Sequence, residues 1–151
     1  MKLEYSRIGR YISLLYRRSQ IYLGKRFQNI GLTAATYTPL MTLYRHEGMS
    51  QEQLAEHIGV DKAAMKRSID DLAGDGFVYR LINDTDKRAY RIMLTDKARD
   101  LMPEVEHILE EWENIVLAGL NGGERTSVRA LLMKMAENAS PNGKRQVDKG
   151  L

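Results

Sequence analysis

The stretch Ser50–Asp75, SQEQLAEHIGVDKAAMKRSIDDLAGD, followed by Gly76-Phe-Val-Tyr-Arg80, decides how the rest of the chain is read. Ser50-Gln-Glu-Gln53 is a capping-box pattern, in which Gln53 reaches back to the backbone N–H of Ser50. Leu54, Ala55 and Ile58 then give a short apolar face that Gly59 ends. Asp61 caps a second helix whose inward stripe is Met65, Ile69 and Leu72. Gly74-Asp-Gly76 stops it, because glycine accepts the left-handed conformation that a helix C-terminus needs. Two short helices joined through a glycine turn form a helix-turn-helix.

Working outward, Phe77–Ile82 and Ala89–Leu94 read as two strands joined by the turn residues Asn83 to Lys87. A hairpin directly after the second helix makes the unit a winged helix. Upstream, Ile8, Ile12, Leu15, Tyr22 and Leu23 repeat at helical spacing until Gly31. A further helix carries Tyr37, Leu40, Met41 and Tyr44. If Thr33 caps it, Pro39 kinks it; otherwise it starts at Thr38 with Pro39 in the first turn. Downstream, Thr95 caps a long helix with Leu101, Val105, Ile108, Trp112 and Ile115 on one stripe and Pro103 bending it near its start. Asn121-Gly-Gly-Glu124 caps a last helix with Val128, Leu131, Leu132 and Met135 inside, and residues 139–151 read as a disordered tail.

Setting Met65, Ile69 and Leu72 inward at 100° per residue turns Ala63, Lys66, Arg67 and Asp70 outward. Ala63 permits close approach, while Lys66 and Arg67 supply donors suited to guanine edges and phosphate. The plain alternative is a solvated helix face. A capped helix before this one and a hairpin after it weigh against that alternative, since the pattern as a whole suits a helix laid in a major groove.

The chain has 151 residues and 17.3 kDa, enough for one domain, with 43% hydrophobic and 28% charged residues. It contains no cysteine, which excludes disulfides, thiolate metal sites and cysteine nucleophiles. The net charge of +3 is unevenly spread. Residues 1–48 hold eight Lys/Arg against two Glu, residues 49–99 nine against nine, and residues 100–151 six against nine. Any binding of nucleic acid by the middle segment therefore rests on local placement of charge. The longest apolar run near the N-terminus is bracketed by Arg10 and by Arg17 and Arg18, so neither a signal segment nor a membrane span is expected, and the expected location is cytoplasmic.

Other chemistries lack their residues. His46, His57 and His107 are too few and too dispersed for a metal signature, so no metal site is expected. A divalent-metal sensor built on His46, His57 and Glu52 or Glu56 is a remote alternative. The glutamates between Glu104 and Glu113 belong to a solvated helix face, and no phosphate loop or nucleophile elbow is present. Neither enzyme activity nor a cofactor is expected.

From Leu32-Thr33 to Leu94-Thr95 the chain resembles the MarR family of transcription regulators. The resemblance is carried by Ser50–Asp75, Gly76–Arg80, Asp86-Lys-Arg88 and Leu94-Thr95. It implies a mainly α fold with a small β-hairpin wing, a winged helix-turn-helix core at about 33–95 and dimerisation helices at about 6–29 and 96–138, all within one domain at 1–138. It further implies a homodimer that binds double-stranded DNA and acts on transcription, by default as a repressor. The DNA-contacting candidates are Ser50, Gln51, Lys62, Ala63, Lys66, Arg67, Lys87 and Arg88, with Asp86 orienting the wing arginine. Lys66 stands where the family often has a small hydroxyl residue, Ala63-Ala64 replace typical Ser/Thr positions, and Ala98 replaces a common glycine. Family members often hold small aromatic or amphipathic acids as effectors between the dimerisation helices and the winged helix. Arg17 and Tyr37 are the candidates for that role here. A winged helix that serves only as a protein-interaction module is the competing function.

Overall fold

The computed structural model describes residues 7–140, which form six helices and one antiparallel hairpin among the described residues. The order is α1 (Ile8–Gln28), α2 (Tyr37–Arg45), α3 (Gln51–Ile58), α4 (Lys62–Gly74), β1 (Val78–Ile82), β2 (Tyr90–Leu94), α5 (Asp96–Val116) and α6 (Gly122–Ala139). By its internal packing the chain divides into two compact units, Met1–Trp112 and Glu113–Leu151.

In the first unit, local signals set each boundary. Ser50 and Gln53 close the expected capping box at the start of α3, with bonds of 3.1 and 2.9 Å. Gly59 follows α3 at φ 79°, a left-handed conformation that suits glycine, and Asp61 then accepts the Ala64 N–H at 2.8 Å to start α4. Gly76, at φ 77°, lets the Phe77 N–H turn back to the Leu72 carbonyl at 2.8 Å and closes α4. Thr95 starts α5 by accepting the Ala98 N–H at 3.2 Å while its own hydroxyl donates to the Gly76 carbonyl at 2.7 Å. The end of α4 and the start of α5 are thereby fastened at one threonine.

Pro39 lies in the first turn of its helix, as the second of the two readings has it, although the helix begins one residue earlier than that reading places it. The helix α2 starts at Tyr37, and Pro39 is its third residue, where a backbone N–H has no helical partner to lose. Thr33 acts one turn earlier: its carbonyl and hydroxyl accept the Thr36 N–H in the turn that leads in. The helix α5 runs unbroken through Pro103.

The core of this unit joins α1 to α5. Leu23, Phe27, Leu32, Leu40, Leu43, Leu54, Met65, Ile69, Leu72, Ile92, Leu94, Met102, Val105 and Ile108 are buried in one cluster. The stripe read from the sequence for α4 is the one that packs, and Ser68 joins it by bonding the Ala35 carbonyl at 3.3 Å. At the rim, Tyr22 lies against Trp112 with ring centroids 5.4 Å apart, and Arg26 pairs with Glu111 at 2.5 Å.

The hairpin pairs Val78 with Leu94 through Ile82 with Tyr90 in register. Residues 48–50 extend it at the base: Gly48 donates to the Ile92 carbonyl and Ile92 to the Met49 carbonyl, both at 3.0 Å. Gly48 sits at φ 85°, a left-handed conformation that favours glycine, and a Cβ there would also push aside the Arg91 guanidinium, which would lie 2.5 Å away.

In the second unit the expectation for the last helix fails. Asn121 and Glu124 do form the predicted capping box, yet no residue of α6 is buried. Leu131, Leu132 and Met133 are exposed, Leu131 by 60%, while Val128 and Met135 are half-covered. Ile115, the last residue of the α5 stripe, is likewise 54% exposed. The periodicity marked a face that favours cover, and the described residues do not supply that cover. Of the tail expected from residue 139, Ala139 ends α6 and Ser140 is its C-cap, while residues 141–151 lie outside the described residues.

Candidate nucleic-acid interface

The outward face of α4 is the one read from the sequence: Ala63, Lys66, Arg67 and Asp70 are all exposed. Two kinds of cation surround it. Three are paired with acids. Lys62 reaches Glu52 at 2.9 Å, tying the start of α4 to that of α3, and the carboxylate raises the lysine pKa. Lys66 and Arg80 share Asp70, at 2.5 and 2.6 Å. Hydrogen bonds from Lys66 and then from Arg80 hold the Asp70 carboxyl below its ordinary range. Three others, Arg67, Lys87 and Arg88, have no side-chain hydrogen bond or ion pair among the described residues.

The wing tip is ordered by its own side chains. Asp86 accepts the backbone N–H of Arg88 at 3.0 Å, and Asn83 accepts from Thr85. The carboxylate therefore fixes the backbone on which Arg88 stands and leaves the guanidinium unengaged. A cleft of about 380 Å³ brings together Ser50, Gln51 and Glu52 at the start of α3 with Arg80, Asp86, Arg88 and Tyr90 of the wing. The α3 N-terminus contributes the positive end of its dipole to that cleft, an arrangement suited to a phosphate.

The wing root is held by Glu47, which accepts the Leu94 N–H at 2.9 Å and whose two carboxylate oxygens both accept from one guanidinium nitrogen of Arg99, Nη2, at 2.6 and 2.8 Å. The Arg99 hydrogen bond is the main reason that the Glu47 carboxyl lies below its ordinary value; burial opposes it and the Leu94 N–H adds to it.

Reading the sequence placed Asp70 on this surface but missed Arg80, its second partner. Lys66 and Asp70 at i, i+4 carried a local signal, but the approach of Arg80 from β1 is a tertiary fact.

The two effector candidates are not brought together. Tyr37 stacks on Phe27 with centroids 4.6 Å apart and lines a cleft of about 410 Å³ with Tyr16, Gln20, Pro39, Ile58 and Met65. Arg17 does not line it; its guanidinium bonds Ser13 one turn back on the same exposed helix face, at 2.8 Å. His46 and His57 lie with rings 5.7 Å apart, and no group of three or more metal-binding side chains occurs among the described residues.

A helix-turn-helix carrying an exposed, partly basic second helix, followed by a hairpin with an ordered basic tip, defines a winged helix-turn-helix protein. Residues 32–90 match the sequence model of the MarR family. A MarR transcriptional regulator from Methanosarcina mazei Go1 is 37% identical, with a TM-score of 0.83 over 87% of this chain and 94% of that one. The HTH-type transcriptional regulator YybA of Bacillus subtilis (strain 168) is 28% identical over 131 residues, 87% of each chain. A MarR-family regulator from Listeria monocytogenes, solved with 26mer DNA, shares the fold at 23% identity, with a TM-score of 0.86 over 96% of both chains. The chain belongs to the MarR family and is a transcriptional regulator, not an enzyme. No described helix is long and apolar enough to cross a membrane.

Proposed function

We propose that this regulator acts in the cytoplasm as a homodimer that binds a pseudo-palindromic operator and represses transcription until a small aromatic or amphipathic acid releases it. The observation that carries the DNA reading is the set of unpaired cations: Arg67 on the recognition helix and Lys87 and Arg88 on the wing tip. Free guanidinium and ammonium groups displace counterions from phosphate without first breaking an internal pair. The Listeria protein of the same fold, solved with DNA, supports that reading.

Two exposed apolar faces support the dimer, one in each compact unit. On α1 these are Ile8, Tyr11, Ile12 and Leu15; on α6 they are Leu131, Leu132 and Met133. A monomer rarely leaves such stripes in water. In the dimer, the two recognition helices stand about 34–36 Å apart, one turn of DNA. The Tyr37 cleft supports the effector reading, since its aromatic and aliphatic walls suit a small ring. A ligand that prefers a different helix spacing lowers DNA affinity by its differential binding, and DNA lowers ligand affinity by the same factor.

One observation favours the competing reading. Tyr79, Leu81, Ile82 and Tyr90 are exposed on the wing strands, as a protein-docking surface would have them. Selection of duplexes from a randomised pool by the purified protein separates the two readings. Operator binding yields a consensus of two inverted half-sites about one helical turn apart. A pool that shows no enrichment after repeated rounds contradicts it and leaves the protein-docking reading.

A further inference from the structure

We propose that Asp70 is a specificity-determining residue, which raises discrimination for the operator by holding Lys66 and Arg80 off the phosphates of unrelated DNA. The inference rests on the DNA-binding reading above and adds to it a role for an acidic side chain on the recognition surface.

Asp70 is exposed on α4, one turn after Lys66, and its two carboxylate oxygens are divided between two cations. Oδ2 accepts from Lys66 at 2.5 Å and Oδ1 from Arg80 at 2.6 Å. The partners come from different elements, α4 and β1, so the carboxylate links the recognition helix to the root of the wing. Neither cation has a second acid among the described residues. Asp70 is thus their common counter-ion.

Two opposite effects follow when DNA arrives. Asp70 repels every phosphate, and Lys66 leaves a partner in order to reach one; both weaken binding to any sequence. Against that, a carboxylate holding Lys66 and Arg80 in fixed positions presents one arrangement of donors to the groove. That arrangement favours a complex of unique geometry, in which Arg67 contacts a base edge. A loosely docked complex on unrelated DNA uses no unique geometry, so it receives the penalty without the benefit. The result is a wider ratio between operator and background.

The test compares wild type, Asp70→Asn and the double variant Asp70→Asn/Lys66→Gln by salt-dependent fluorescence anisotropy. The duplexes are the one recovered by selection and a scrambled version of it. Asparagine keeps the shape of the side chain, and thermal melts confirm folding of each variant. Asp70→Asn is expected to bind the scrambled duplex about five-fold more tightly, with a salt slope steeper by about one unit. Operator affinity changes less than scrambled affinity does, so the ratio falls. The double variant returns the scrambled-duplex slope to that of wild type. Unchanged scrambled affinity and slope in Asp70→Asn, with wild-type operator binding intact, overturns the role of Asp70 alone. Failure of the wild type to prefer either duplex overturns the operator reading and this inference with it.

Discussion

The helices α4 and α6 show the same periodic sequence pattern with opposite outcomes. In α4, Met65, Ile69 and Leu72 repeat at helical spacing, and all three are buried within their own unit. In α6, Val128, Leu131, Leu132 and Met135 repeat as well, and none is buried. Both helices begin at a side-chain cap that forms as read, Asp61 in one and Asn121 in the other. Local chemistry therefore makes both helices, while the destination of their apolar faces differs. One is satisfied within its own unit; the other is left uncovered by the described residues. A hydrophobic stripe reports that a surface is costly to leave in water, and it does not report which molecule covers it.

The sharpest way to break this comparison is to put the same charge on each stripe. Ile69→Asp buries an unpaired carboxylate at a fully covered position and is expected to unfold the winged helix, with a cost above about 4 kcal/mol. Loss of the cooperative thermal transition in circular dichroism checks it. Leu131→Asp, at a position 60% exposed, is expected to keep the helical spectrum and to yield a monomer in sedimentation experiments. A stable dimer of Leu131→Asp, or an unfolded chain, would show that α6 is not the covering surface of a homodimer.

A smaller effect sharpens the picture of the wing. Glu47 joins the end of α2, the strand β2 and the start of α5 through Leu94 and Arg99. Glu47→Gln is expected to destabilise the first unit by roughly 1–2 kcal/mol at neutral pH, since it removes hydrogen bonds to a charged acceptor. The folded-state pKa of Glu47 is lowered from its ordinary 4.5, so its contribution is present above that value and is lost as pH falls through the lowered one. The stability gap between wild type and Glu47→Gln, read from denaturant melts, should therefore close as the pH is taken below the ordinary 4.5 and through the lowered value. A gap that stays constant or widens in acid contradicts the pairing.

The smallest effect concerns the wing tip. Arg88→Ala is expected to leave stability unchanged and to make the salt slope of DNA binding shallower by about one unit, on operator and scrambled duplex alike. An unaltered slope removes Arg88 from the phosphate contacts.

What was legible in the sequence was whatever a few neighbouring residues decide. Ser50 with Gln53, Gly59 with Asp61, Gly76, Thr95 and Asn121 with Glu124 each specify a helix end through contacts within a few positions, and each does so in the structure. The outward set on α4 followed from the inward one by geometry alone. What stayed hidden depends on partners distant in sequence. Arg80 meets Asp70 only because β1 returns beside α4, and Glu47 meets Arg99 across 52 positions. The start of α2 fell between two readings because Thr36, not Thr33 or Thr38, holds its N-cap position. That Arg17 does not line the Tyr37 cleft was hidden for a similar reason. Its position on α1 was clear, but the cleft wall is set by which face of that helix turns toward α2, and that face carries Tyr16 and Gln20.

On the proposed function, this winged helix reads DNA sequence through Arg67, the arginine of α4 without an ion pair among the described residues. Fluorescence anisotropy of wild type and Arg67→Ala on the selected duplex, with scrambled duplex as competitor, tests it most directly. The account predicts tight wild-type binding that survives competitor and a loss of about 1–3 kcal/mol on removing Arg67. Equal, weak binding to both duplexes, unaffected by Arg67→Ala, would contradict it.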